Sequence, residues 1–369
     1  MTSPLFEPFT LRNLRLDNRV VVSPMQTYCA PDAIAGAWHR THLARFALGG
    51  AGLVMVEATA VSPEGRSTNM DLGLWEEEHA QAFADLTKAV HECGARIGIQ
   101  LQHAGRKAST APPWQGFAPV PAPQGQAVIG PSDKPASSNA HVPRQMDADD
   151  MARLIDAYSA STRMAARAGF DLVEIHMAHG YLLHSFLSPL SNDRTDDYGG
   201  ALENRMRFPL RVVEAVRTHW APDKPLACRI SSVDGVSVGW SIADSRILAD
   251  RLRRIGVDLI DCSSGGMILP ERDMLVPRGP GFQVDFAADL RGHTGLATIA
   301  VGQITDAAQA NDIIASGRAD LVAIGRQMLV NPNWALEAET TLSADHTYDH
   351  WPRQFGWWLG RRRHATDTR

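Results

Sequence analysis

Eight short apolar runs, spread along the whole chain, constrain the fold more than any other feature. They cover residues 20–22, 52–56, 97–101, 172–175, 226–230, 259–262, 298–301 and 321–324, and most are rich in Val and Ile. Continuous apolar runs of that length suit strands buried on both faces, as in a parallel sheet. Helix-like segments lie between them at 79–93, 149–168, 202–220, 242–255 and 306–316. Four of these run into Gly94, Gly169, Gly256 and Gly317, where glycine can take the left-handed turn that ends a helix. Repeated strand–helix alternation predicts an α/β fold, a (β/α)8 TIM barrel. A doubly wound sheet competes, but it rarely runs to eight units and no G-x-G-x-x-G follows the first strand. At 369 residues, length alone suggests two or three domains. A barrel with insertions absorbs that length as a single domain over 1–369.

Three segments fall outside the repeat. Residues 5–19 suggest an N-terminal hairpin lid on the bottom of the barrel. Residues 104–143, rich in Pro, Gly, Ala and Ser, form a long loop after strand 3, where such loops commonly cover active sites. The tail from about 341 carries Trp351, Trp357, Trp358 and a basic run at 361–363, aromatics that need burial on this subunit or another. The net charge of -5 offers no general basic field for nucleic acid or an anionic membrane. No run of about 18 apolar residues and no signal-like N-terminus is present, which points to the cytoplasm. The cysteines, Cys29, Cys93, Cys228 and Cys262, are scattered, so neither a disulfide scaffold nor a multi-Cys metal site is expected.

In a barrel the chemistry sits at the C-terminal ends of the strands. At the ends of strands 7 and 8, Gly302, Gly325 and Arg326 suit a phosphate, because glycine lets backbone N–H groups approach and arginine adds a fork of donors. The alternative is that the glycines only close tight turns. At strand 4, His176 and His179 are three residues apart and converge only if the strand ends at His176 and the chain turns. They read as core histidines, as a metal pair, or as two neutral imidazoles that donate hydrogen bonds to a carbonyl or nitro oxygen beside the Tyr181 acid. Arg229 brings a fixed cation and Gln100 a polar edge to the same mouth. Phosphate site, polar edge and cation together fit a phosphorylated heterocycle such as FMN, or a sugar phosphate.

Long motifs then carry a resemblance. Residues 176–208, HMAHGYLLHSFLSPLSNDRTDDYGGALENRMRF, with LFEPFTLRNLRLDNRVVVSPM, IGIQLQHAGRKA, DLIDCSSGG and GRADLVAIGRQMLVNP, resemble the Old Yellow Enzyme family of FMN-dependent ene-reductases, in its thermophilic-type bacterial branch. The resemblance implies that Ser23, Pro24, Met25, Gln26 and Ala58 line the flavin, and that Gln100 meets its pyrimidine edge. It places Arg229 by N1–C2=O, and Gly302, Gly325 and Arg326 on the phosphate. His176 and His179 would bind the substrate oxygen, Tyr181 would donate the proton, and Tyr28 would contact substrate. NAD(P)H would be the co-substrate and an activated alkene, an α,β-unsaturated carbonyl or nitro compound, the acceptor. A homodimer or higher homo-oligomer is expected, with Trp358 closing a site in its own or a neighbouring subunit.

The chain departs from its kin in one place. The branch usually has Cys directly after S-P-M, where it tunes the flavin, and here that position is Gln26. In 192–204, Asn192, Arg194, Asp196, Tyr198 and Asn204 are expected to lock a loop, and His103 to serve loop structure. Rival readings are an iron–sulfur relative, which the Cys spacing disfavours, a metal-dependent barrel hydrolase and a non-catalytic FMN-binding protein.

Overall fold

The structure, a computed structural model, describes residues 3–121, 123–267, 276–344 and 347–366, with side chains as far as 362. All eight apolar runs are strands: β1 (Val20–Val22), β2 (Leu53–Ala60), β3 (Arg96–Gln102), β4 (Leu172–Met177), β5 (Leu226–Ser231), β6 (Leu259–Ser263), β7 (Ala297–Ala300) and β8 (Leu321–Ile324). They pair in parallel and in chain order, and β8 closes on β1 through Val322–Val20 and Ile324–Val22. The barrel expectation holds and the doubly wound sheet does not. Every position of β2, β4 and β5 is buried, the polar residues towards their C-terminal ends included.

The five expected helices are present as α2 (Glu77–Glu92), α3 (Ala148–Arg167), α4 (Leu202–His219), α5 (Ile242–Ile255) and α7 (Ala307–Ala315). Asp147, Ser241 and Asp306 cap the first turns of α3, α5 and α7 by accepting a backbone N–H. Further helices include α1 (Ala37–Leu48), α6 (Val284–Thr294) and α8 (Trp334–Ser343). The sequence reading missed α1 because His39 and His42 occupy its buried face, which blurs the apolar stripe.

The N-terminal hairpin, Phe9–Leu11 with Leu14–Leu16, is antiparallel. Its Leu14 and Leu16 pack against Val21, Leu53, Leu172, Leu259 and Leu321 at the strand beginnings and plug the barrel floor, as expected. At the opposite end the 104–143 loop contains short 3₁₀ turns and a two-residue strand, Ile129–Gly130, paired with Arg144–Gln145. Arg194 pins the start of this last segment, its Nη1 donating to Pro131 O at 3.0 Å and Met146 O at 2.7 Å. Asn192 donates to Phe186 O and Tyr198 O, Asp196 holds Arg194 and the Tyr198 N–H, and Asn204 accepts from Arg207. The 192–204 stretch is therefore a loop lock.

α8 runs through residue 341 to Ser343, and α9 (Arg353–Thr366) follows it. Trp351 docks on this chain, its Nε1 donating to Thr340 Oγ1 at 3.1 Å. Trp357 and Trp358 meet edge to face and stay 50% and 68% exposed. Arg361 lies over the Trp357 ring, and the Arg363 side chain of the basic run lies outside the described residues. No helix among the described residues is long and apolar enough to cross a membrane.

Candidate active site

The segment after β1 is extended, so consecutive side chains point in opposite directions. Pro24 and Gln26 reach a cavity of about 740 Å³ over the barrel mouth. Ser23 and Met25 do not line it; Ser23 is buried with its N–H on Ile324 O, and Met25 packs toward Gly325. Pro24 and Gln26 thus face the cavity, and Ser23 and Met25 face the side of Gly325. Ala58 lines the same cavity, where β2 slips register against β3 between Val56 and Ala58.

The cavity floor is polar and buried. Gln100 Nε2 donates to Glu174 Oε1 at 2.7 Å, and Arg229 Nε stands 3.1 Å from Asp261 Oδ2. Glu174 and Asp261, each 1% exposed, were absent from the sequence reading, which left Arg229 without a protein partner. Their signal was visible: a carboxylate inside each apolar run, at strands 4 and 6. Burial pushes the Glu174 carboxyl up to about 8, and the Asp261 carboxylate adds to that. Arg229 Nε and Asp261 Oδ1 have no hydrogen-bond partner.

β4 runs one residue past His176, to Met177, and the turn falls later than expected. His179 and Gly180 both take the left-handed conformation, φ 58° and 74°. That turn swings His179 beside His176, with ring centroids 5.1 Å apart, and sets Tyr181 5.0 Å from His176. His179 Nε2 bonds Ser263 Oγ at 2.6 Å, and His176 Nδ1 is buried without a partner. Burial and the Arg229 guanidinium hold both imidazoles well below their usual range, so both are neutral near pH 7. Burial raises the Tyr181 phenol above its usual range. Tyr28, also on the cavity and edge-on to Trp114, is pushed up to about 12 by burial and by Asp71 and Glu57.

A second cavity of about 700 Å³ lies over β6–β8 and is lined by Ser263, Gly302, Gly325 and Arg326. Gly302 has φ 120°, and a Cβ there would come within 3.0 Å of the Phe282 ring, so only glycine fits. Lys107 and His179 line both cavities, which makes them neighbours along one groove. Lys107 Nζ donates to His179 O at 2.7 Å and also to Gly266 O. Desolvation and the adjacent Arg106 pull its ammonium down to about 7. Lys107 was another omission, although it lies in the quoted QHAGRKA motif. His103 lines neither cavity; it is buried, its Nδ1 accepting the Gly105 N–H. Trp358 lines neither cavity of its own chain, because α9 holds it out in solvent.

The groove suits a phosphorylated, ring-bearing cofactor. One end offers glycine N–H groups and the exposed Arg326; the other offers a pocket lined by Gln100, His176 with its unpartnered Nδ1, and Arg229. The NADH:flavin oxidoreductase / NADH oxidase family model matches residues 4–345. An NADPH dehydrogenase of Geobacillus sp. (strain WCH70) is 43% identical over 355 residues, covering 95% of this chain and 98% of that protein. An NADPH dehydrogenase of Bacillus subtilis (strain 168) is 42% identical over 347 residues, covering 94% and 97%. The solved structure of morphinone reductase superposes with a TM-score of 0.78 at 29% identity, covering 92% of this chain and 90% of that one. FMN is accordingly the cofactor and a reduced nicotinamide nucleotide the co-substrate. The chain belongs to the NADH:flavin oxidoreductase / NADH oxidase family, the Old Yellow Enzyme group of flavin-dependent oxidoreductases.

Proposed function

We propose that this oxidoreductase is an ene-reductase, which reduces the C=C bond of α,β-unsaturated carbonyl or nitro compounds at the expense of NAD(P)H. The observation that carries the proposal is two neutral imidazoles and one phenol converging on a single cavity, with ring centroids 5.0 and 5.1 Å apart. Bound FMN supplies the hydride carrier between nicotinamide and alkene. Arg326, Gly302 and Gly325 hold its phosphate, Gln100 and Arg229 meet its polar ring edge, and Pro24 and Ala58 wall the ring. Ser23 and Met25 contribute through their backbone.

His176 and His179 donate hydrogen bonds to the substrate oxygen. Those bonds strengthen as enolate charge develops, so they favour the transition state over the ground state. Tyr181, kept neutral by its burial, protonates the α-carbon. Tyr28 and the loop residues Phe117 and Pro119 bound the substrate. Trp358 serves the cavity of a second copy in a homodimer, since its own α9 leaves it exposed. Four unpaired cysteines suit a reducing compartment, the cytoplasm.

Anaerobic stopped-flow measurements on Tyr181→Phe test the proposal. Flavin reduction by NAD(P)H stays within about twofold, and reoxidation by cyclohexenone slows by about 10² or more, the usual worth of a general acid. Unchanged rates in both halves would remove Tyr181 as the acid. Failure of the unmutated enzyme to turn over any activated alkene would leave an FMN-binding oxidoreductase of another substrate class.

A further inference from the structure

The Gln26 side chain is used at both ends. Its Nε2 donates to Asp71 Oδ2 at 3.0 Å and to Ser67 Oγ at 3.2 Å, and its Oε1 accepts the Tyr181 hydroxyl at 3.1 Å. Asp71 is fully buried. Its Oδ2 also accepts Ser67 N–H at 2.7 Å, Ser67 Oγ at 2.6 Å and Thr68 N–H at 3.1 Å, while Oδ1 accepts Thr68 Oγ1 at 2.6 Å. A carboxylate so surrounded by donors acts only as an acceptor.

That fixes which way the amide points. A flipped Gln26 would set its carbonyl oxygen against the Asp71 carboxylate, two buried acceptors facing each other, and would strip Asp71 of a donor. With the amide held, the Tyr181 hydroxyl donates to Oε1, and the Ser67 hydroxyl lies within reach of the same phenol. Loss of the phenolic proton would bring a phenolate against a carbonyl oxygen.

Resting on the reading of Tyr181 as proton donor, we infer that Gln26 and Asp71 are positioning residues for that donor. Asp71 locks the amide, and the amide aims the phenol and keeps it protonated between turnovers. When Tyr181 acts, its O–H bond breaks as the α-carbon C–H bond forms, and the phenolate recovers a proton from water. The other titratable groups around the phenol are Asp71, whose negative charge also opposes phenolate, and the neutral Tyr28 and His176 rings. Ala104, Ala108 and Val128 pack as an apolar patch against it. A cysteine, the residue usual here in this branch, has no amide with which to join Asp71 to Tyr181. The substitution thus moves the influence of position 26 from the flavin to the acid.

The test is a double-mutant cycle on the holoenzyme with Gln26→Met, of similar length but without the amide, and Tyr181→Phe. Gln26→Met alone slows reoxidation by alkene about tenfold, the scale of one orienting hydrogen bond. Flavin reduction and the FMN dissociation constant are measured alongside, so that a loss of cofactor is told apart from a loss in the acid step. In the Tyr181→Phe background it causes no further loss. An ultraviolet difference titration against Tyr181→Phe places phenol ionisation at lower pH in Gln26→Met than in the unmutated protein. An equal loss in both backgrounds, or an unmoved titration, overturns the inference. Should Gln26→Met lose FMN, the same titration on Gln26→Leu, which keeps the Asp71 charge, decides, with a downward shift expected and no shift refuting. A Tyr181→Phe enzyme of unchanged activity defeats the acid reading alone, because the titration still reports whether Gln26 governs the phenol.

Discussion

Glu174→Gln should make the protein more stable, and by an amount that depends on pH. Glu174 sits inside the barrel, 1% exposed, accepting Gln100 Nε2 at 2.7 Å. Asp261, equally buried, already pairs with Arg229 at 3.1 Å. One guanidinium between two buried carboxylates cannot pay for ionising both. Burial, then Asp261, raises the Glu174 carboxyl from 4.5 to about 8. The folded protein therefore holds a proton between pH 4.5 and 8 that the unfolded chain releases, and stability falls as pH rises through that window. At pH 7 the gap is roughly 2.5 pH units at about 1.4 kcal/mol each, or about 3 kcal/mol. Glutamine keeps the acceptor for Gln100 and has no proton to hold. Urea unfolding of the FMN-loaded protein, followed by circular dichroism at fixed FMN between pH 4.5 and 8, reads the difference. The variant should be about 3 kcal/mol more stable at pH 7, with the advantage shrinking towards zero near pH 4.5. A gain that is the same at every pH, or no gain at pH 7, would refute the reasoning.

Three other substitutions bear on the site. Arg326→Ala should weaken FMN binding by about 10- to 100-fold, the worth of a charge-assisted contact to phosphate, as read by fluorescence titration of free flavin. Combined His176→Ala and His179→Ala should abolish the charge-transfer band of bound phenols and weaken their affinity; unchanged affinity would remove the pair from the oxyanion role. Arg194→Ala leaves two buried carbonyls, Pro131 O and Met146 O, without their donor, so it should cost about 2–4 kcal/mol and speed protease nicking within 104–146.

Much of the site was legible because barrel geometry turns strand ends into a short list of candidates. His176, His179, Gln100, Arg229 and Gly302 all follow from knowing where each strand stops. The convergence of the two histidines was less legible. It depends on left-handed backbone at His179, a conformation an imidazole-bearing residue seldom adopts and that its own identity does not announce. Ser23 and Met25 were grouped with Pro24 and Gln26 because a motif lists neighbours without saying which way each side chain faces. Glu174 and Asp261 were hidden inside runs valued for their apolar residues.

By itself the sequence determined the barrel, its order and a phosphorylated ligand, and the resemblance of its long motifs narrowed that ligand to FMN. Burial periodicity and strand-end chemistry are local properties of the chain. Only the tertiary structure decided what Gln26 does. From sequence it stood in place of a flavin-tuning thiol. In the fold, Asp71 lies 45 residues away in sequence yet 3.0 Å from Nε2, and Tyr181 lies 155 residues away at 3.1 Å. The direction of an amide is set by the donors and acceptors around it, and those neighbours exist only once the barrel has closed.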